Sequence, residues 1–215
     1  MSTFVICVGR SLGSGGLMVG RRLAERFGIR LLDNEVIKLA AGESGIDEKF
    51  FRTADERKGF FSILGDFISP ISAGLSGMAG CGSEQLSREH LFQLQSDAIR
   101  AEADRESCVI VGRCADYVLR EHPRMVSVFI AADKEDRAQR ISELRGVSHD
   151  EAMRIIRDGD ADRASFYNYY NGAHRWGEAS TYDLCVNSSV LGIDGTVDFI
   201  EQFVRAKLGF LRKNE

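Results

Sequence analysis

The sequence predicts an α/β fold: a parallel sheet with helices on both faces, three layers deep. Short apolar runs without alternation recur along the chain at Phe4–Val8, Cys108–Val111, Met125–Ala131 and Tyr182–Asn187. Such runs read as parallel strands buried on both faces. Helical patterns separate them, which is the signature of repeated β–α units. A glycine-rich turn, Gly9–Gly16, joins the first run to a helix, and only two prolines interrupt the whole chain.

The first unit is the most informative. After the strand Phe4–Val8, Gly13, Gly15 and Gly16 carry no Cβ, so the backbone can wrap closely around an anion. A helix follows in which Leu17, Gly20, Leu23, Ala24 and Phe27 share one face, with Gly28 placed to end it. A second run, Ile29–Leu32, ends at Asp33, and a short helix pattern occupies 34–41. Between Gly42 and Arg88 the pattern blurs into phenylalanine-rich clusters and a glycine- and serine-rich stretch, 69–83. This reads as a mobile loop within an inserted helical lobe, or as a linker between two domains. A helix pattern at Leu91–Ala103 leads into the strand Cys108–Val111, a short helix around Tyr117–Leu119, the strand Met125–Ala131 and a helix over Lys134–Arg145. Ser148 and Glu151 form a capping box that opens another helix. Ala161–Tyr170 is helical as well, Tyr182–Asn187 is a strand, and Val197, Ile200, Val204 and Leu208 mark the last helix. There are no internal repeats.

Composition narrows the class of function. At 215 residues the chain can bury one full core, and a net charge of −4 argues against a general nucleic-acid binder. The cations are lopsided, 22 arginines to 6 lysines, which suits an anionic ligand. The five cysteines form no C-x-x-C pair and the four histidines no ligand spacing, so neither a disulfide framework nor a zinc site is expected. No apolar run has membrane-spanning length, and a cytoplasmic protein without membrane partners is the expectation.

The glycine turn resembles a Walker A loop with one gap: the lysine and hydroxyl that follow its glycines are replaced by Gly16, Leu17 and Met18. A tight turn that binds nothing, and a dinucleotide-binding loop with Asp33 as its ribose acid, stay open, although the latter needs glycine at Met18. Gly112-Arg113, at the carboxyl end of a core strand, places a guanidinium where open α/β sheets bind ligands. Arg137 with Arg140, and Arg154 with Arg157, are spaced to share helix faces, and Arg163 follows. Phosphoryl transfer rests on positioning and on neutralising charge over phosphate oxygens, so these cations, with Arg10 inside the loop, are candidates to replace the lysine.

Taken together, Gly9–Gly16, Leu32-Asp33-Asn-Glu, Val109–Tyr117, Phe129–Asp133 with Asp136–Arg140, Asp160–Tyr167, Trp176-Gly177 and Tyr182–Ser189 resemble the cytidylate kinase-like family, relatives of bacterial cytidylate kinase among the P-loop nucleoside monophosphate kinases. The resemblance spans nearly the whole chain. It implies a single kinase domain over 1–215 of that α/β/α type, with a helical monophosphate-binding insertion at 42–107 and a lid at 146–178. It implies ATP with Mg2+ as donor, a small phosphorylated acceptor (most simply CMP or dCMP), and a monomer or homodimer. By the same likeness Gly13, Ser14, Gly15, Gly16 and Leu17 would hold the donor phosphates, flanked by Arg137 and Arg140. Asp33, Arg113, Asp116 and Asp183 would face the acceptor, and Arg10, Arg154, Arg157 and Arg163 would act on the transferring group. Cytidylate kinase proper carries an aspartate where this chain has Cys114, with Asp116 two positions later. The alternative is a nucleotide-binding sensor with little catalytic activity, because the loop lysine is absent.

Overall fold

The computed structural model describes residues 3–33 and 88–209. The chain divides into two compact units, Met1–Asp33 with Ile99–Glu215, and Asn34–Ala98. Of the second unit only 88–98 is described, as the first part of a helix. The patterns at 34–41 and 69–83 lie outside the described residues.

The described elements are β1 (Val5–Arg10), α1 (Gly16–Phe27), β2 (Arg30–Leu32), α2 (Arg88–Arg105), β3 (Cys108–Val111), α3 (Ala115–Val118), β4 (Met125–Ala131), α4 (Lys134–Arg145), α5 (His149–Tyr170), a short 3-10 turn (Ala179–Thr181), β5 (Leu184–Asn187) and α6 (Ser188–Lys207). The strands form one sheet in the order β2-β3-β1-β4-β5, every pair parallel. Val8 lies level with Val111 on one side and Val128 on the other. The chain therefore leaves β1 toward one edge and later crosses to the opposite side, and the crevice at the carboxyl ends of β1, β3 and β4 is where such sheets bind ligands.

The continuous apolar runs are explained by burial on both faces. Ile6, Val8, Val109, Val111, Val126, Val128 and Ile130 pack against Val19, Leu23 and Ala24 of α1 and Val197, Ile200 and Val204 of α6. The alternate side chains Val5, Cys7, Cys108 and Ile110 are equally buried on the other face, and α3 packs against β1 and β4. Gly20 lets α1 lie against β3, since a Cβ there would meet Val111 Cγ2 at 2.8 Å. Gly28, at φ 62°, ends α1 with its N–H shared between Ala24 and Glu25 carbonyls. Cys7, Cys108 and Cys114 are buried free thiols, and Cys185 is exposed. Among the described residues no helix is long and apolar enough to cross a membrane.

Three local features differ from the sequence patterns. The helices expected from Ser148 and over Ala161–Tyr170 are one continuous helix of 22 residues. Gly159 sits within it without breaking it, and Leu12 Cδ2 lies 2.8 Å from where its Cβ would be. Tyr182 and Asp183 precede β5 rather than belonging to it: the N–H of Asp183 goes to Ser127 Oγ at 3.0 Å instead of a ladder partner. The last helix is interrupted at Gly192, whose φ of 67° and ψ of 175° place a kink after its first turn.

Candidate active site

The turn between β1 and α1 is shaped by what takes its carbonyls. Leu12 C=O accepts from Arg137 Nε at 2.7 Å, Gly13 C=O accepts from Arg140, and Ser14 C=O accepts from Ser188 Oγ at 2.8 Å. The N–H of Ser11 bonds to Ile130 C=O, that of Ser14 to Ser11 C=O, and that of Leu12 to Asp160 Oδ1 at 2.7 Å. With its carbonyls tied from outside, the loop leaves the N–H groups of Gly13, Gly15, Gly16, Leu17 and Met18 without a hydrogen-bond partner among the described residues. Gly15 caps α1 with no side-chain bond, so the positive end of that helix opens into the same turn. Gly13 and Gly15 hold φ of 80° and 79°. A Cβ on Gly13 would lie 2.9 Å from Arg137 C=O, and one on Gly15 would collide with Ile193. The hydroxyl of Ser14 is fully buried and has no hydrogen-bond partner among the described residues.

Arg10 closes one side of this cradle. Its side chain passes over Gly16 and reaches Gly112, where a Cβ would overlap its guanidinium. Burial, and then the charge of Arg113, push Arg10 down to about 10, while Asp33, Cys114 and Asp160 oppose that shift. Arg163 is likewise pushed down to about 10, first by burial and then by Arg10. Its Nη1 is buried, has no hydrogen-bond partner among the described residues and lies 3.8 Å from Asp160 Oδ1. Arg10 thus lies close enough to Arg113 and to Arg163 for these cations to repel one another, with Asp33 and Asp160 beside them, an arrangement of charge suited to an anionic ligand.

The turn after β3 is strained. Gly112, Arg113 and Cys114 have successive φ of 78°, 62° and 52°, and the two non-glycine residues each cost about 1–3 kcal/mol in such a conformation. Asp116, in the first turn of α3, accepts from Tyr167 Oη at 2.5 Å, and that hydroxyl accepts from Asn171 Nδ2 at 2.9 Å. Burial raises the Asp116 carboxyl above its usual range, against the lowering effect of the Tyr167 hydroxyl and of the Asp116 and Tyr117 backbone amides. Behind Gly9 lies an aromatic cluster, with the Phe129 ring 5.2 Å from Trp176 and 5.0 Å from Tyr182.

The structure therefore brings together Gly13 to Leu17, Arg10, Arg113, Arg137, Arg140, Arg163 and Asp33 around the carboxyl ends of β1, β2, β3 and β4. Arg154 and Arg157 stand apart, with side chains 65% and 72% exposed and ion pairs to Glu151 and Asp158. Asp183 is level with Cys7, three residues or about 10 Å short of Arg10 along the strands. It accepts from Ser127 N–H and Oγ and pairs with Lys207. Among the described residues no cluster of three or more His, Cys, Asp or Glu could hold a metal ion.

Asp160, Ser188, Tyr167 and Asn171 carry no assignment from the sequence. The Asp160–Leu12, Ser188–Ser14 and Tyr167–Asp116 bonds span 148, 174 and 51 residues, and helical periodicity has no term for such contacts. The available signal was that Asp160 and Ser188 fall within the landmark runs Asp160–Tyr167 and Tyr182–Ser189.

The cytidylate kinase-like family model matches residues 5–190. A cytidylate kinase from Methanopyrus kandleri is 24% identical over 208 residues, 92% of this chain and 91% of its own. The crystal structure of an uncharacterized protein from Eubacterium ventriosum aligns at a TM-score of 0.66 and 26% identity, over 94% of this chain and 98% of that one. Shikimate kinase from Bacteroides thetaiotaomicron aligns at 0.52 and 14% identity over 94% and 98% of the two chains, a likeness of fold alone.

Proposed function

Because this chain belongs to the cytidylate kinase-like family, we propose that it is a phosphotransferase moving a phosphoryl group from ATP to a nucleoside monophosphate, CMP or dCMP. The observation that carries the reading is the set of amides at Gly13 and at Gly15 to Met18 that have no hydrogen-bond partner among the described residues, beside carbonyls that other elements have already bound. Backbone donors in this number at a helix N-terminus suit a polyphosphate.

In this reading the amides of Gly13, Gly15, Gly16 and Leu17, with the buried Ser14 hydroxyl, line the donor phosphate site. Arg137 and Arg140 act on the donor by holding the loop carbonyls. Arg10 lies between Gly16 and Gly112, bridging the donor loop and the turn that carries Arg113, so it supplies charge where the lysine would. Arg163 adds a second guanidinium, and Arg154 and Arg157 approach from the exposed part of α5. Asp33, Arg113 and Asp116 orient the acceptor; Asp183, committed to Ser127 and Lys207, is left as a tie between β4, β5 and α6. An acceptor phosphate is already anionic, so alignment and neutralisation are the chemistry required. Mg2+ would enter on the nucleotide, held by its phosphates and water.

One observation favours a second reading, a nucleotide-binding sensor: Gly16 stands in the lysine's place, and Leu17 and Met18 are 40% and 48% exposed there. Incubation of the purified protein with ATP, Mg2+ and a panel of nucleoside monophosphates separates the two. Diphosphate formed from CMP or dCMP is the expected result. ATP binding with no product from any acceptor would replace the kinase by the sensor.

A further inference from the structure

We propose that Asp160 is the positioning residue of the phosphate loop, fixing Leu12 from α5 and keeping Arg163 at the loop as its counter-ion. The inference rests on the reading of the loop as the donor site. Leu12 donates its N–H to Asp160 Oδ1 at 2.7 Å, Asp160 Oδ2 pairs with Arg137, and Arg137 Nε donates to Leu12 C=O at 2.7 Å. These contacts close a ring: both polar groups of one loop residue are taken by an ion pair that is itself bonded. The Leu12 side chain is fixed as well. It packs with Ala138, Ile141, Ala152 and Ile156 between α4 and α5 and lies over Gly159, the neighbour of Asp160.

The sign of the charge makes the case sharper. A carboxylate beside a polyphosphate site repels the ligand, so Asp160 taken as a mere charge would weaken donor binding. Its contribution must then come from geometry. By drawing the Leu12 N–H outward and presenting Leu12 C=O to Arg137, it leaves the following amides facing the cradle. Arg163 Nη1, at 3.8 Å from Asp160 Oδ1 and without a hydrogen bond, is held by attraction but not consumed. It keeps its donors for a ligand oxygen.

The test compares Asp160→Ala and Asp160→Asn with the wild type by ATP affinity, steady-state kinetics and hydrogen exchange of the Leu12 amide. Alanine removes the acceptor, so Leu12 exchange should accelerate about tenfold or more and ATP affinity should fall by a similar factor. Asparagine keeps an acceptor for Leu12, so ATP affinity should return to within about threefold of wild type, while kcat stays about tenfold lower because Arg137 and Arg163 have lost their counter-ion. Tighter ATP binding in both variants, or unchanged Leu12 exchange in the alanine variant, overturns the proposal. If the alanine variant does not fold, asparagine alone decides: an unchanged kcat overturns it. Failure of the wild type to bind ATP would sink the functional reading instead, and Leu12 exchange would still report on Asp160.

Discussion

Gly112 occupies the spot that Arg10 must cross on its way from β1 to the end of β3, and it does so at φ 78°. Alanine there meets two penalties, a left-handed backbone costing about 1 kcal/mol or more and a methyl group inside the guanidinium's volume. Gly112→Ala should lower thermal stability and reduce kcat about 100-fold if Arg10 takes part in transfer; a melt and steady-state kinetics check both. Asp116 presents the opposite balance. Burial raises its pKa, so the ionised carboxylate is disfavoured in the folded chain, and stability rises as pH falls from above the folded pKa toward the unfolded one. Asp116→Asn removes that penalty at neutral pH and keeps an oxygen for the Tyr167 hydroxyl. The expected outcome is a melting temperature equal to or above wild type, with CMP-dependent turnover reduced about tenfold. A carboxylate whose loss spares the fold but costs turnover is one that serves the ligand.

At the scale of elements, α5 does two jobs along its length. Its middle, at Gly159, Asp160 and Arg163, is fastened to the β1–α1 loop, whereas its first turns bury Ala152 and Ile156 against α4 and leave Arg154 and Arg157 exposed, paired with neighbours on the helix. The Ser148 hydroxyl caps the exposed end, accepting from Glu151 N–H at 3.3 Å. Ser148→Ala should cost about 1 kcal/mol by chemical denaturation and leave kcat unchanged, since nothing in the loop depends on that cap. This cap was legible in the sequence because its partners sit three residues apart. So were the strands at 108–111 and 125–131, whose unbroken apolar character is what burial on two faces demands. The continuity of α5 through Gly159 was not legible, because the reason for the glycine is Leu12, 147 positions earlier. The gathering of Arg10, Arg113 and Arg163 was legible only as residue types. What places them together is the strand order, which no local pattern encodes.

For the molecule as a whole, burial and mutual repulsion disfavour the charged forms of Arg10 and Arg163, so an anion bound beside them should stabilise the fold. ATP at about 100 times its Kd should add about 2.7 kcal/mol of stability, a rise of roughly 5–10 °C in melting temperature for a chain of this size. The rise should shrink at high salt and be largely lost in Arg10→Met; a thermal melt with and without nucleotide measures it. The loop's ties also have a consequence for how the protein is born. The carbonyls of Leu12, Gly13 and Ser14 wait for partners 125, 127 and 174 residues downstream. A ribosome making this chain supplies the last of these three fastenings only 174 residues after the glycine turn, when Ser188 emerges, so the turn acquires its folded shape long after it has been synthesised.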